Sequence, residues 1–382
     1  STVLAFITYL KTRQIWISAI TLIIFLIPAS EIATKLVQYI LSKTVKPKII
    51  PKLDYSNGIP KENTTMVVIP TIIKSKEKVQ ELMRKLEVYY LANKSKNIYF
   101  TLLGDCSQSD KREEEFDEEV IQEGKKQVEK LNKKYNEKIF NFIYRKRVWN
   151  EKEDCYLGWE RKRGMLSQLN EYLLGNIKDP FRINTIEEIP KIKYIITLDA
   201  DTDLILNSAF ELIGAMAHIL NKPIVNPNTN TVTEGYGIIQ PRVGIDLDIS
   251  YKSIFTRIFA GDGGIDSYSN AISNTYQDNF KEGIFTGKGI YDLEIYSKVL
   301  KSEIPENTVL SHDLLEGCYL RCGLATDVIL MDGYPTKYNS YINRLSRWIR
   351  GDWQIIKWIG NKKLNTLSKY KIFDNLRRSL LE

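Results

Sequence analysis

The chain has 382 residues, 43% of them hydrophobic and 26% charged, which fits a packed core and excludes disorder, collagen and a disulfide scaffold. Cys106, Cys155, Cys318 and Cys322 are too scattered for a disulfide framework. With two histidines in the whole chain they also make a poor zinc set, so a reducing compartment suits them. The net charge of +7 gathers at the ends: residues 1–60 carry seven Lys/Arg against Glu31 and Asp54, and residues 361–382 are likewise basic. The body between them is slightly acidic, and no nucleic-acid partner is expected.

From Gln14 to Ser30 run 17 residues without a charge, at the short end of what spans a bilayer as a helix. A second apolar stretch, Ile32–Leu41, carries Lys35 and follows Pro28 and Glu31. The segment therefore predicts a transmembrane helix or a hairpin; a buried core helix is the alternative. Lys43, Lys46, Lys48 and Lys52 follow, a cluster that stays on the cytoplasmic side. No small-residue cleavage site follows the apolar run, so it is not a signal peptide. The chain begins at Ser1, and residues 375–382 read as a helix cut short. A segment of a longer membrane protein is expected.

Beyond residue 60, strand and helix alternate. Thr65–Thr71 (TMVVIPT), Asn97–Asp105 (NIYFTLLGD), Ile139–Arg147 and Tyr194–Ala200 (YIITLDA) read as strands. Lys76–Ala92, the highly charged Glu113–Tyr135, Lys162–Leu174 and Ser208–Leu220 read as helices. This alternation predicts an α/β protein, a mostly parallel sheet flanked by helices, with ligands at the carboxyl edge of the strands. Residues 221–235 read as a turn-rich loop or hairpin. The remainder holds a strand in GYGIIQPRV, a helix near 250–260, a glycine-rich GDGGIDSY, a strand near FTGKGIYD, a helix from Asp313, and the aromatic, basic helix RLSRWIRGDWQIIKWIG.

Four patches bear chemistry. Asp199, Asp201 and Asp203 (LDADTD) stand after an apolar strand, where two carboxylates can share a hard cation with a substrate diphosphate. A solvated loop with Asp203 capping the next helix is the bland alternative. WERKRG places Arg161, Lys162 and Arg163 at a helix start, suited to phosphate or merely to solvent. In SHDLLEG, Asp313 suits either a helix N-cap or a general base near an acceptor hydroxyl. In RLSRW, Arg344, Arg347 and Trp348 could cover a diphosphate and a sugar, or anchor at a membrane interface.

The order of these patches resembles that of processive glycosyltransferases of the GT-A fold, among them cellulose and hyaluronan synthases. The longer phrases WERKRG, TLDADT, GYGIIQPRV, FAGDGGIDSY, YQDNF, GKGIYD, PENTVLSHDLLEG and RWIRGDWQI resemble the glycosyltransferase domain of cyclic β-1,2-glucan synthases. The resemblance runs from about residue 28 to 358.

It implies a GT-A-type sheet and an inverting transfer of glucose from UDP-glucose to a growing β-1,2-glucan. Asp105 would contact uridine, with Lys162 and Arg163 near uracil or phosphate. Asp199 and Asp201 would hold a divalent metal (Mg or Mn) with the diphosphate, and Asp313 would be the base. Phe285, Gly287 and Lys288 of FTGKG would line the acceptor end, while Arg347 and Trp348 would close over diphosphate and acceptor. Arg344 replaces the family's usual Gln and is counted with the binding set; His312 stands where an acid is usual. The implied layout is a membrane-anchoring segment with a basic cytoplasmic linker over 1–60, a transferase domain over 61–343, and an interfacial helix opening a further membrane region over 344–382. Membrane lipid and further domains of the same polypeptide would be its partners, in a bacterial inner membrane with the catalytic domain facing the cytoplasm. The rival readings are another processive β-glycan synthase, a non-catalytic glucan-binding or export scaffold, and a metal-dependent phosphohydrolase.

Overall fold

The structure is a computed structural model that describes residues 1–188, 191–260 and 273–381. Its centre is a nine-stranded sheet: β1 Thr65–Ile72, β2 Ile98–Asp105, β3 Phe140–Tyr144, β4 Ile183–Asn184, β5 Tyr194–Thr197, β6 Thr202–Asp203, β7 Ile238–Ile245, β8 Gly289–Asp292 and β9 Cys322–Asp332. They lie side by side in the order β4-β3-β2-β1-β5-β8-β7-β9-β6. Pairings within β3-β2-β1-β5 and between β7 and β9 are parallel, while β8 runs antiparallel to both β5 and β7. β4 and β6 are short antiparallel edges. The sheet is thus mostly parallel, as expected.

Alternation along the strands builds two apolar layers. In β1, Val67 and Ile69 face the layer of helices Lys76–Ala92, Glu115–Tyr135 and Ser208–Ala217. Met66 and Val68 face the opposite layer of helices Arg161–Leu173, Leu293–Leu300 and Asp313–Leu320. Burial on both sides explains why β1 is an almost continuous apolar run. Pro70, which cannot donate to a ladder, sits beyond Val68, the last β1 residue paired with β5.

Several boundaries differ from the sequence reading, each for a local reason. The charged helix starts at Glu115 because Glu114 and Asp117 cap each other's backbone reciprocally. Asp203 caps nothing: it lies in β6, and the next helix begins after Asn207. The helix near 250–260 is two pieces, Leu247–Ser250 and Ile254–Phe259, the second started by Ser253 and Thr256. Residues 221–235 form the hairpin Ile224–Asn226 with Thr231–Glu234. The aromatic helix runs from Tyr338 to Gln354, followed by the 3-10 turn Ile356–Gly360 and helix Thr366–Ser379. The glycine-rich GDGGIDSY, residues 261–268, lies outside the described residues.

The N-terminal apolar stretch is one helix, Ile15–Thr44, with Pro28 inside it. Its apolar window is unburied, and among the described residues it is the one helix long and apolar enough to cross a membrane. Of the two expected forms, helix or hairpin, the stretch takes the first; the chain turns before it, at Arg13, after a short helix Thr2–Thr12. Residues 46–60 are strapped to the body. Ile50 and Ile59 are buried, and Lys52 pairs with Glu211 at 2.8 Å and Asp327 at 2.7 Å.

Candidate active site

The carboxyl edge of the sheet opens into a cleft of about 760 Å³ lined by Lys162, Asp199, Asp201, Phe285, Lys288 and Asp313, with Arg344, Arg347 and Trp348 along its rim. Three local devices bring these side chains together. β5 ends at Thr197 and delivers Asp199 and Asp201 at the edge. The strand Cys155–Leu157 delivers the WERKRG turn, where Glu160 and Arg161 both take positive φ. Gly164 is required there, because a Cβ would lie 1.8 Å from the Trp159 carbonyl oxygen. The FTGKG turn before β8 carries Gly287 at φ 89°, and a Cβ on Gly287 would lie 2.9 Å from the Asp313 carboxylate oxygens. That turn can approach Asp313 so closely only as glycine.

Two lysines neutralise the first acid. Lys162 Nζ donates to Asp199 Oδ1 at 2.5 Å and to the Gly287 carbonyl at 2.8 Å. Lys288, 2% exposed, lies 3.3 Å from Asp199 and 2.5 Å from Asp332 Oδ2. Burial alone would raise the Asp199 pKa, but the two ammonium groups outweigh it and hold it at about 2. Asp332 also accepts from the Thr202 hydroxyl at 2.7 Å, which ties the DxD turn to the end of β9. Asp201 is different. Its side chain is half exposed, its nearest cation is Arg344 at 3.9 Å, and burial together with the Asp332 charge raises its pKa.

Asp313 is the first residue of the helix Asp313–Leu320, and His312 occupies the N-cap position. The capping role offered by the sequence is therefore not the one Asp313 plays. Its Oδ1 is buried without a hydrogen-bond partner among the described residues. Burial raises its pKa, with His312 and Lys162 pulling the other way. On the rim, the Arg344 guanidinium lies 4.7 Å from the centre of the Trp348 ring. Arg347 is exposed beside it.

Not every expected residue reaches the cleft. Asp105 ends β2 but is 1% exposed, with Arg145 donating to its Oδ2 at 2.9 Å and Gly158 packed against it. Arg145 also donates to the Trp159 carbonyl at 2.7 Å, so the pair braces the WERKRG turn. Arg163 turns away, to Glu160 at 2.7 Å and the Ile304 carbonyl at 2.9 Å. Lys288, expected at the acceptor end, reaches instead between Asp199 and Asp332. Asp332 itself was not singled out, although it ends an apolar run (DVILMD) as Asp105 does, and that signal could have found it. Arg145 had no such signal, since its role depends on two distant turns.

Asp199 and Asp201 are hard oxygen donors at an open edge; Lys162 and Lys288 already face the two Asp199 oxygens, which leaves Asp201 the freer of the pair. His312, Asp313 and Glu316 also bring ligand-type atoms within 4.8 Å of one another. There His312 and Glu316 are committed to each other at 2.7 Å.

Fold and cleft together define an α/β protein with a mostly parallel sheet and an acid-and-lysine cleft at its carboxyl edge. Over 369 residues, 95% of its length, the chain is 42% identical to cyclic beta-(1,2)-glucan synthase NdvB of Rhizobium meliloti (strain 1021). It is homologous to one segment of that synthase, which bears out the resemblance carried by its longer phrases. The chain spans 13% of that relative's length. No family model matches the chain. Among solved structures it is similar to mannosyl-3-phosphoglycerate synthase from Rubrobacter xylanophilus, at 11% identity over 84% of each chain with a TM-score of 0.35. It is also similar to the galactosyltransferase LgtC in complex with donor and acceptor sugar analogues, at 12% identity over 68% of this chain and 72% of that one, TM-score 0.29. Both likenesses are distant.

Proposed function

We propose that this chain is the glucosyltransferase part of a longer cyclic β-1,2-glucan synthase, moving glucose from UDP-glucose to the growing glucan with inversion. The observation that carries this reading is the bridge made by Lys162. One ammonium touches both Asp199, on the side suited to a diphosphate, and the Gly287 carbonyl, whose residue packs against Asp313. A leaving-group site and a free carboxylate base are thereby set side by side.

The chemistry follows from the residue types. Asp313 takes the proton from the acceptor hydroxyl as that oxygen bonds to the anomeric carbon, and the bond to the diphosphate breaks on the opposite face. A carboxylate base without a protein nucleophile gives a single displacement, so an α-linked donor yields a β-linked product. Lys162 and Arg347 offset the charge that develops on the departing diphosphate. Asp199 and Asp201 would hold the divalent cation, Mg or Mn, whose contribution when bound is Lewis-acid neutralisation of that diphosphate. Phe285 and Gly287 shape the acceptor end, and Trp348, with Arg344 across its ring, offers a face on which a sugar stacks. Asp105, braced by Arg145, supports the turn carrying Lys162; nucleotide contact by Asp105 remains the family-based proposal, as does that by Arg163. Lys288 acts through Asp199.

By the same reading residues 1–60 anchor the chain in a bacterial inner membrane, 61–343 form the transferase body on the cytoplasmic side, and 344–382 lead into a further membrane region. The decisive experiment supplies radiolabelled UDP-glucose to membranes holding the full-length protein and determines product linkage. Labelled β-1,2-glucan is expected. A product of another linkage, or none, overturns the proposal.

A further inference from the structure

The helix that begins at Asp313 brings two further titratable groups to the base. His312, at the N-cap, and Glu316, one turn on, have side chains only 9% and 2% exposed. Nδ1 of His312 lies 2.7 Å from Oε1 of Glu316. The same nitrogen lies 3.5 Å from Oδ1 of Asp313, the oxygen that lacks a hydrogen-bond partner. Nothing in the reaction described above uses His312 or Glu316. A buried charge pair is weak as a stabilising device, because desolvation cancels much of its attraction. Its place beside the base calls for another explanation.

We propose that His312 and Glu316 are positioning residues for the base: an imidazolium anchored by Glu316 keeps the neighbouring Asp313 carboxylate ionised and aimed into the cleft. The inference rests on the reading of Asp313 as the base. One Nδ1–H faces two carboxylates, held by the nearer and felt by the farther. With both acids ionised and His312 protonated, the trio carries one negative charge. When Asp313 accepts the acceptor's proton the trio becomes neutral, and that proton later leaves to water in the open cleft. The His312 proton stays in place throughout.

The surroundings favour this distribution. Burial disfavours a charged His312, but Glu316 and Asp313 outweigh it and raise its pKa. Burial would raise Glu316, yet His312 and the Tyr296 hydroxyl hold it down, with Arg163 helping. Around Asp313, burial raises the pKa, His312 and Lys162 oppose it, and Glu316 and Asp199 add to it. These groups come from four places: the helix itself, helix Arg161–Leu173, helix Leu293–Leu300 and the turn after β5. His312 is the cation closest in sequence to Asp313, and Glu316 is the group that fixes it.

The test is the pH profile of glucose transfer at saturating UDP-glucose, in membranes holding the full-length protein. The base works above its pKa, so the acid limb of the profile reports Asp313. His312→Gln removes a cation beside the carboxylate and is expected to move that limb up by about one pH unit. Glu316→Gln keeps the size but removes the charge that holds His312 protonated, so Asp313 loses its neighbouring cation and the limb is expected to move up as well, by less than in His312→Gln because a like charge beside Asp313 goes with it. Residues with a merely structural role would lower the rate at every pH and leave the limb where it is. UDP-glucose affinity near that of the parent identifies folded variants, and where His312→Gln loses it, the shift in Glu316→Gln decides. An unmoved limb in a variant that binds donor, or a limb that moves down in either, overturns the proposal. Asp313→Asn, run alongside, separates the two levels. If it retained transfer, the base assignment itself would fall, whatever the limbs do.

Discussion

Asp313 and Asp105 are both acids near the cleft, yet their substitutions should fail in different ways. Asp313→Asn keeps the shape and removes the proton acceptor, so glucan formation should fall roughly 10²–10⁴-fold. Donor affinity should stay within about twofold, since the base faces the acceptor; transfer assays beside UDP-glucose titration check this. Asp105→Ala strips the partner from a guanidinium that is itself 1% exposed. Breaking such a buried pair costs about 3–5 kcal/mol. Its expected signature is therefore a lowered unfolding midpoint, read by thermal denaturation, with activity falling because Arg145 no longer braces the turn at Trp159. A variant of Asp105 with parental stability and lost nucleotide affinity would instead mark direct contact with the nucleotide. Gly287→Ala combines both failures. It puts a side chain at φ 89° and a methyl group 2.9 Å from the Asp313 carboxylate. Transfer should drop while donor binding is spared, because the disturbed neighbour is the base.

At the scale of elements, the WERKRG turn is the most exacting piece. Two consecutive non-glycine residues at positive φ and a glycine pressed on the Trp159 carbonyl leave it little latitude. Gly164→Ala should cost about 1–3 kcal/mol by overpacking. It should also weaken UDP-glucose binding, since Lys162 is displaced with the turn; calorimetric titration and a denaturation curve measure the two effects. Much at this scale was legible in the sequence. Apolar runs ending on carboxylates located β2 and β5, and the turn residues between 221 and 235 marked the hairpin. Three things were missed or left open. β9 carries the same signal, an apolar run ending on Asp332, but it went unread, and the importance of Asp332 rests on Lys288 arriving from a turn 44 residues away. Asp313 suited either a cap or a base, because both favour the same residue at the same place, and only the backbone puts His312 at the cap position. Helix or hairpin was left open for the N-terminal segment; the helix runs on through Pro28, since an apolar helix can absorb one missing hydrogen bond more cheaply than it can expose an unpaired turn.

For the molecule as a whole, the N-terminal helix and the body are joined at a defined point. Arg377 pairs with Glu31 at 2.8 Å, with Asp374 at 2.8 Å, and donates to the Ser30 hydroxyl at 3.2 Å. Asn375, Arg378 and Ser379, from the same C-terminal stretch, line the cleft. If the proposed topology holds, protease added outside intact cells should leave residues 60–360 uncut, which immunoblotting would show.

The Glu31–Arg377 clasp has a mechanical meaning. The uncharged run before it, about 16 residues at 1.5 Å each, measures about 24 Å, slightly less than the hydrocarbon thickness of a typical bilayer of about 30 Å. In the proposed membrane setting a span shorter than the hydrocarbon thins the bilayer around it, and the clasp would couple that mismatch to a wall of the cleft. Turnover in reconstituted vesicles should therefore vary with acyl-chain length, and Glu31→Gln, which weakens the clasp, should flatten the variation. Under the proposed anchoring, that one bond would make the thickness of the bilayer an input to glucose transfer.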